Sequence, residues 1–169
     1  SRIDRRFADR APRVVSHDRS DYFVMDPTKP RQPGDYGIGI GLLATKRKYA
    51  EPQGYDFGHD GRWSDVPESA YDPHKRAAEL DAEGIEAELI YPTFGLGMFG
   101  VKDREFRHAC LSAYNAWLAE YCAAEPRRRG GIAVSKTYDL ERGVAELESC
   151  ARAGLRGAIR KLRAGGTPG

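Results

Sequence analysis

Asp81-Ala82-Glu83-Gly84-Ile85-Glu86-Ala87-Glu88-Leu89-Ile90-Tyr91-Pro92-Thr93 carries a helix end, a strand and a strand stop in one short run. Upstream, Asp72 has the side chain of a helix N-cap, and Pro73 fits the first helical position, where a missing N–H costs nothing. The helix is therefore expected over 73–83, with Gly84 as its left-handed stop. The strand is expected over 85–91, and Pro92 ends it because proline cannot donate to a sheet ladder.

The same alternation continues downstream. Asp103 is expected to cap a long helix reaching about Glu125, with Phe106, Cys110, Ala113, Trp117 and Tyr121 recurring at three- and four-residue steps as one buried face. Pro126 stops it, and Arg127-Arg128-Arg129 stands where the helix dipole favours cations. A second strand is expected over 131–136. Asp139 opens a third helix with Leu140, Val144, Leu147 and Ala151 on one side, Gly154 closes it, and a third strand runs over 155–162. Strand, helix, strand, helix, strand with short joints demands parallel pairing. The fold class is α/β. Three such strands cannot close a barrel, which needs eight β/α units, so the units leave a sheet edge and apolar helix faces bare. The chain reads either as part of a larger (β/α)8 barrel or as a small open α/β domain.

Residues 1–71 differ. They hold six of the ten prolines and the glycine-rich stretch Gly34 to Gly41, and show little periodicity. One hairpin is expected, with Arg13-Val14-Val15 and Tyr22-Phe23-Val24-Met25 as strands around a polar turn at His17-Asp18-Arg19-Ser20. The division is thus 1–71, a loop-rich insertion region, and 72–169, the β/α units.

Composition bounds the function classes. The 169 residues carry 31% charged and 40% hydrophobic side chains, ordinary for a soluble domain, and no apolar run approaches the roughly 20 residues that cross a membrane. The 27 basic and 25 acidic residues are interspersed, a balance that argues neither for nor against a polyanionic partner. The start shows no secretory signal and no initiator Met, so an upstream segment is expected. Cys110 and Cys122 on one helix would lie about 18 Å apart, too far to pair. Free thiols without a signal point to a reducing cytoplasm. The partners expected are a small-molecule substrate and a second copy of the chain, with neither nucleic acid nor membrane.

The motifs divide by geometry. Gly95-Leu96-Gly97-Met98-Phe99-Gly100 spells the G-x-G-x-x-G of dinucleotide sites, between a strand and a helix. Its glycines, however, stop short of the cap at Asp103, whereas the fingerprint turns directly into its helix. A flexible active-site loop is the plainer reading. Histidines 17, 59, 74 and 108 have no metal-ligand spacing, although His59-Asp60 could join a site through its loop. The arginine run has no flanking aromatic platform for bases. Tyr91, Pro92, Thr93 and Phe94 are the candidate substrate-binding residues, because they stand at the carboxyl end of a parallel strand, where ligands bind in barrels and open sheets alike. Tyr91 offers a phenol there and Thr93 a hydroxyl.

The string 81–93, followed by Ala113-Tyr114-Asn115-Ala116-Trp117-Leu118-Ala119-Glu120-Tyr121-Cys122, resembles the amidohydrolase-related family, which includes metal-dependent decarboxylases. Arg10 to Val15 and Gly154-Leu155-Arg156-Gly157-Ala158 look like the early region of the same family. The resemblance implies a partial (β/α)8 barrel and a divalent metal, zinc by preference, whose histidine and acidic ligands match no residue of this chain. It implies hydrolysis by a metal-activated water, or non-oxidative decarboxylation of a metal-held carboxylate. Two other functions stay open: a non-catalytic, oligomeric binding or scaffold protein on the same fold, and a small dinucleotide-binding α/β protein. Catalytic residues are not identifiable from the sequence.

Overall fold

The computed structural model describes residues 2–18, 20–29, 37–40, 61–135 and 140–160. The chain divides into two compact units, Ile3–Glu86 and Ala87–Gly169.

The first unit holds the expected hairpin. β1 (Arg13–His17) pairs antiparallel with β2 (Ser20–Val24), and His17 faces Ser20 across a turn entered at Asp18, whose φ is 49°. A third strand, β3 (Ile38–Gly39), adds to β2 from the glycine-rich stretch, the rest of which lies largely outside the described residues, as does His59-Asp60. Asp21 ties this sheet to the chain that follows. Its buried carboxylate accepts hydrogen bonds from the Trp63 N–H at 2.8 Å, the Ser16 hydroxyl at 2.8 Å and the Arg62 guanidinium at 3.1 Å. The backbone N–H of Trp63, then the Ser16 hydroxyl, hold this carboxyl below the usual aspartate range. Helix α1 (Pro73–Ala82) completes the unit, and Asp72 caps it by accepting from the N–H groups of His74 and Lys75.

The second unit is the alternating series. β4 (Glu88–Ile90), α2 (Arg104–Ala123), β5 (Arg129–Ser135), α3 (Leu140–Arg152) and β6 (Gly157–Arg160) follow in order, and the sheet order is β4-β5-β6. Both pairings are parallel: Glu88–Ile90 lie opposite Arg129–Gly131, and Ile132–Ser135 opposite Gly157–Arg160. The protein is thus mixed α/β, and the described residues form an antiparallel and a parallel three-stranded sheet.

The helix stops are those expected. Gly84 and Gly154 take φ of 69° and 88°, conformations a side chain would strain. Each is followed by a bond back across six residues, Ile85 N–H to the Leu80 carbonyl at 2.8 Å and Leu155 N–H to the Cys150 carbonyl at 3.1 Å.

Four expectations are corrected. β4 starts at Glu88 rather than at 85, because its neighbour offers a ladder only from Arg129; before that the chain turns at Glu125–Arg128. β5 therefore begins before 131. Arg129 is a buried strand residue instead of a helix-end cation. Its side chain is fully enclosed (0% exposed), donating to Glu88 at 3.0 Å and lying 4.8 Å over the Tyr121 ring. On α2, Leu111, Leu118 and Cys122 join the buried face while Ala113 and Trp117 are only partly covered, since the helix buries a stripe wider than one row. The assigned starting residue Asp139 lies outside the described residues, as do Lys136, Lys161 and Leu162.

The core of this unit sits between the helices and one face of the sheet. Leu118, Cys122, Ala133, Cys150 and Leu155 form it, with Ile90, Tyr114 and Trp117 against them. Gly131 lets α2 approach, because a Cβ there would lie 2.8 Å from the Leu118 Cγ and 2.7 Å from a Leu155 methyl. The apolar row of α3 is bare: Leu140, Val144 and Leu147 are 70%, 47% and 37% exposed, while Gly143 and Cys150 face inward. All three cysteines are free and buried. No helix among the described residues is long and apolar enough to cross a membrane.

Candidate functional site at the strand ends

The carboxyl end of β4 runs directly into the segment singled out by position. Tyr91 is 61% exposed, Pro92 is fully buried and Thr93 is exposed, so the phenol and hydroxyl are available while proline anchors the turn between them. The turn is closed by the Thr93 N–H donating to the Tyr91 carbonyl at 3.0 Å and the Leu96 N–H donating to the Pro92 carbonyl at 3.0 Å. Phe94 begins a 3-10 helix that runs to Gly100; its side chain lies outside the described part of the structure.

The following loop is seated, not slack. Gly95 is buried where a Cβ would stand 3.1 Å from Pro92 Cβ and 3.2 Å from a Val134 methyl, tighter than ordinary van der Waals contact. A side chain there would have to push Pro92 or Val134 aside by a few tenths of an ångström. Met98 is buried, and Arg107 from α2 donates to the Val101 carbonyl, which fixes the far end of the loop. The G-x-G-x-x-G run is therefore part of this 3-10 helix, and α2 starts later. The Asp103 carboxylate accepts from the Phe106 N–H at 3.1 Å, so a negative charge already sits at the helix N-terminus where a pyrophosphate would bind.

Asn115 holds the strand end from behind. Its Nδ2 donates to the Val134 carbonyl at 3.0 Å, and its Oδ1 accepts from the Val134 N–H at 2.9 Å. β4 ends at Ile90, opposite Gly131, leaving Val134 without a ladder partner on that side; the side-chain amide takes the place of the missing strand. A Cβ at Gly95 would meet the same Val134, so the residue that Asn115 holds is also the one over which the loop is seated.

The arrangement offers a phenol, a hydroxyl and backbone groups at a strand end, which suits hydrogen bonding to a small polar molecule. It offers no metal centre: among the described residues no group of three or more histidine, cysteine, aspartate or glutamate side chains could hold an ion. His17, His74 and His108 stand on β1, α1 and α2. The divalent metal implied by the resemblance does not fit the described residues, and no catalytic step is assigned through it. No family model matches the chain, and no curated protein matches it.

Proposed function

We propose that this chain is a contiguous piece of a metal-dependent β/α-barrel enzyme of the amidohydrolase-related type. It would act on a small organic substrate by hydrolysis or non-oxidative decarboxylation, and be inactive by itself. The observation that carries the reading is the parallel β4-β5-β6 sheet with its connecting helices on one face and the bare Leu140-Val144-Leu147 row of α3. Parallel sheets occur almost only with both faces covered, and a row of three exposed large apolar side chains is what a missing neighbouring β/α unit would cover. In this reading Tyr91, Pro92, Thr93 and Phe94 line the substrate pocket, and zinc or another divalent metal is held by residues outside this chain.

The test is the coding sequence on both sides of this segment. The proposal expects a strand with a histidine pair or acid-x-histidine motif before Ser1 and further β/α units after Gly169. Stop codons close to both ends would refute it. A second reading, a non-catalytic scaffold that covers the α3 row with another copy of itself, draws on the same exposed side chains. It expects a monodisperse, cooperatively unfolding oligomer. The dinucleotide reading is weakened by the carboxylate cap at Asp103.

A further inference from the structure

Between α2 and α3 lies a cleft of about 400 Å³ lined by Ala116, Ala145, Ala153, Cys150 and Leu155 together with polar side chains of both helices. That volume is within the range of small-molecule pockets. Arg142 and Glu146 bring charge to it, and the Glu146 side chain is only 9% exposed.

The two oxygens of Glu146 are treated differently. Oε1 accepts from the Ser112 hydroxyl at 3.2 Å and from Asn115 Nδ2 at 3.4 Å. Oε2 has as its nearest described polar neighbour His108 Nδ1 at 3.7 Å, beyond hydrogen-bond length. Arg142, at the rim, turns its guanidinium to Glu105 with contacts of 2.8 and 3.3 Å. Oε2 thus has room for a further donor, and a charged donor makes a stronger bond to a carboxylate than a neutral one. The polar row that builds the cleft is legible as His108, Ser112 and Asn115 on one face of α2, opposite Arg142, Glu146 and Ser149 on α3.

We propose that this cleft binds a small organic ammonium, whose N–H groups donate to Glu146 Oε2 while its short alkyl part lies against the alanine walls. The cleft shares no lining residue with Tyr91, Pro92, Thr93 and Phe94 and does not depend on the barrel reading. A neutral alcohol of the same shape can make the apolar contacts but not the charge-assisted bond.

The test is titration of the full 169-residue chain with propylammonium, followed by amide NMR of Ser112, the Asn115 side chain, Glu146 and Ser149. Saturable shifts confined to these residues are expected, with propan-1-ol and the Glu146→Gln variant each binding at least about tenfold more weakly. Ala116→Leu, which keeps the carboxylate and fills the wall, is expected to abolish the shifts, so the test stands even if Glu146→Gln does not fold. Equal affinity for the alcohol, unchanged affinity in Ala116→Leu, or no saturable shift in the unmodified chain would overturn the proposal.

Discussion

Replacing Asn115 tests how the strand end is held. Asn115→Ala deletes both bonds to Val134, at 3.0 and 2.9 Å, and leaves a buried N–H and a buried carbonyl unpaired. Each such group costs roughly 1–3 kcal/mol, so the loss is about 2–6 kcal/mol, a large share of the roughly 5–15 kcal/mol that holds an ordinary domain together. Asn115→Asp separates the two bonds. The introduced carboxylate still accepts from the Val134 N–H, but turns an oxygen toward the Val134 carbonyl and towards Glu146, so at neutral pH it is expected to cost at least as much as alanine. Burial and those neighbours raise the introduced carboxyl's folded pKa. Its protonated form is therefore the stable one, and Asn115→Asp regains stability as pH falls, whereas Asn115→Ala does not. Urea unfolding followed by Trp117 fluorescence measures both. Asn115→Ala within about 0.5 kcal/mol of the parent would refute the reasoning, because that is the range of a surface substitution.

Further outcomes follow from other contacts. Glu88→Ala leaves the fully buried Arg129 without its carboxylate and is expected to cost about 3–5 kcal/mol, while Glu88→Leu with Arg129→Met recovers most of it; denaturant midpoints check both. Gly95→Ala forces a methyl to within 3.1–3.2 Å of Pro92 and Val134 and is expected to cost about 1–3 kcal/mol, with shifts in the amide resonances of 91–100. Burial pushes the Cys122 and Cys150 thiols up and the Tyr114 phenol up to about 12. The unfolded thiols ionise first, near their ordinary pKa of about 8.5. Stability is then full below that pH and falls as pH rises towards the folded values, and Cys122→Ala with Cys150→Ala is expected to flatten the alkaline limb of the melting curve. Charging the bare row with Leu140→Lys and Leu147→Glu is expected to leave stability within about 0.5 kcal/mol and to suppress any concentration-dependent association in sedimentation velocity.

The elements whose ends are set by local chemistry could be read from the sequence. Asp72, Pro73 and Gly84 bound one helix, Asp103 opens another, and Gly154 closes the third, because caps and positive φ depend on the residue itself. Strand lengths could not be read so well. β4 is trimmed to three residues and β5 reaches back to Arg129 because a ladder exists only where a neighbour runs alongside, which is a tertiary fact. Arg129 was hidden for the same reason: an arginine after a helix looks like a dipole partner until the Glu88 carboxylate appears beside it. At the strand ends, position alone singled out Tyr91 to Phe94. The Asn115–Val134 bonds and the Glu146 cleft needed side chains from two helices brought together, and facing polar rows on α2 and α3 were the one signal that could have suggested them.

Zinc titration of this chain by calorimetry tests the central claim most directly, namely that it builds part of a barrel and leaves the metal ligands to other residues. The account predicts weak uptake without defined stoichiometry, since no group of potential ligands able to hold an ion is found among the described residues. A single site per chain with a micromolar or tighter dissociation constant would contradict it.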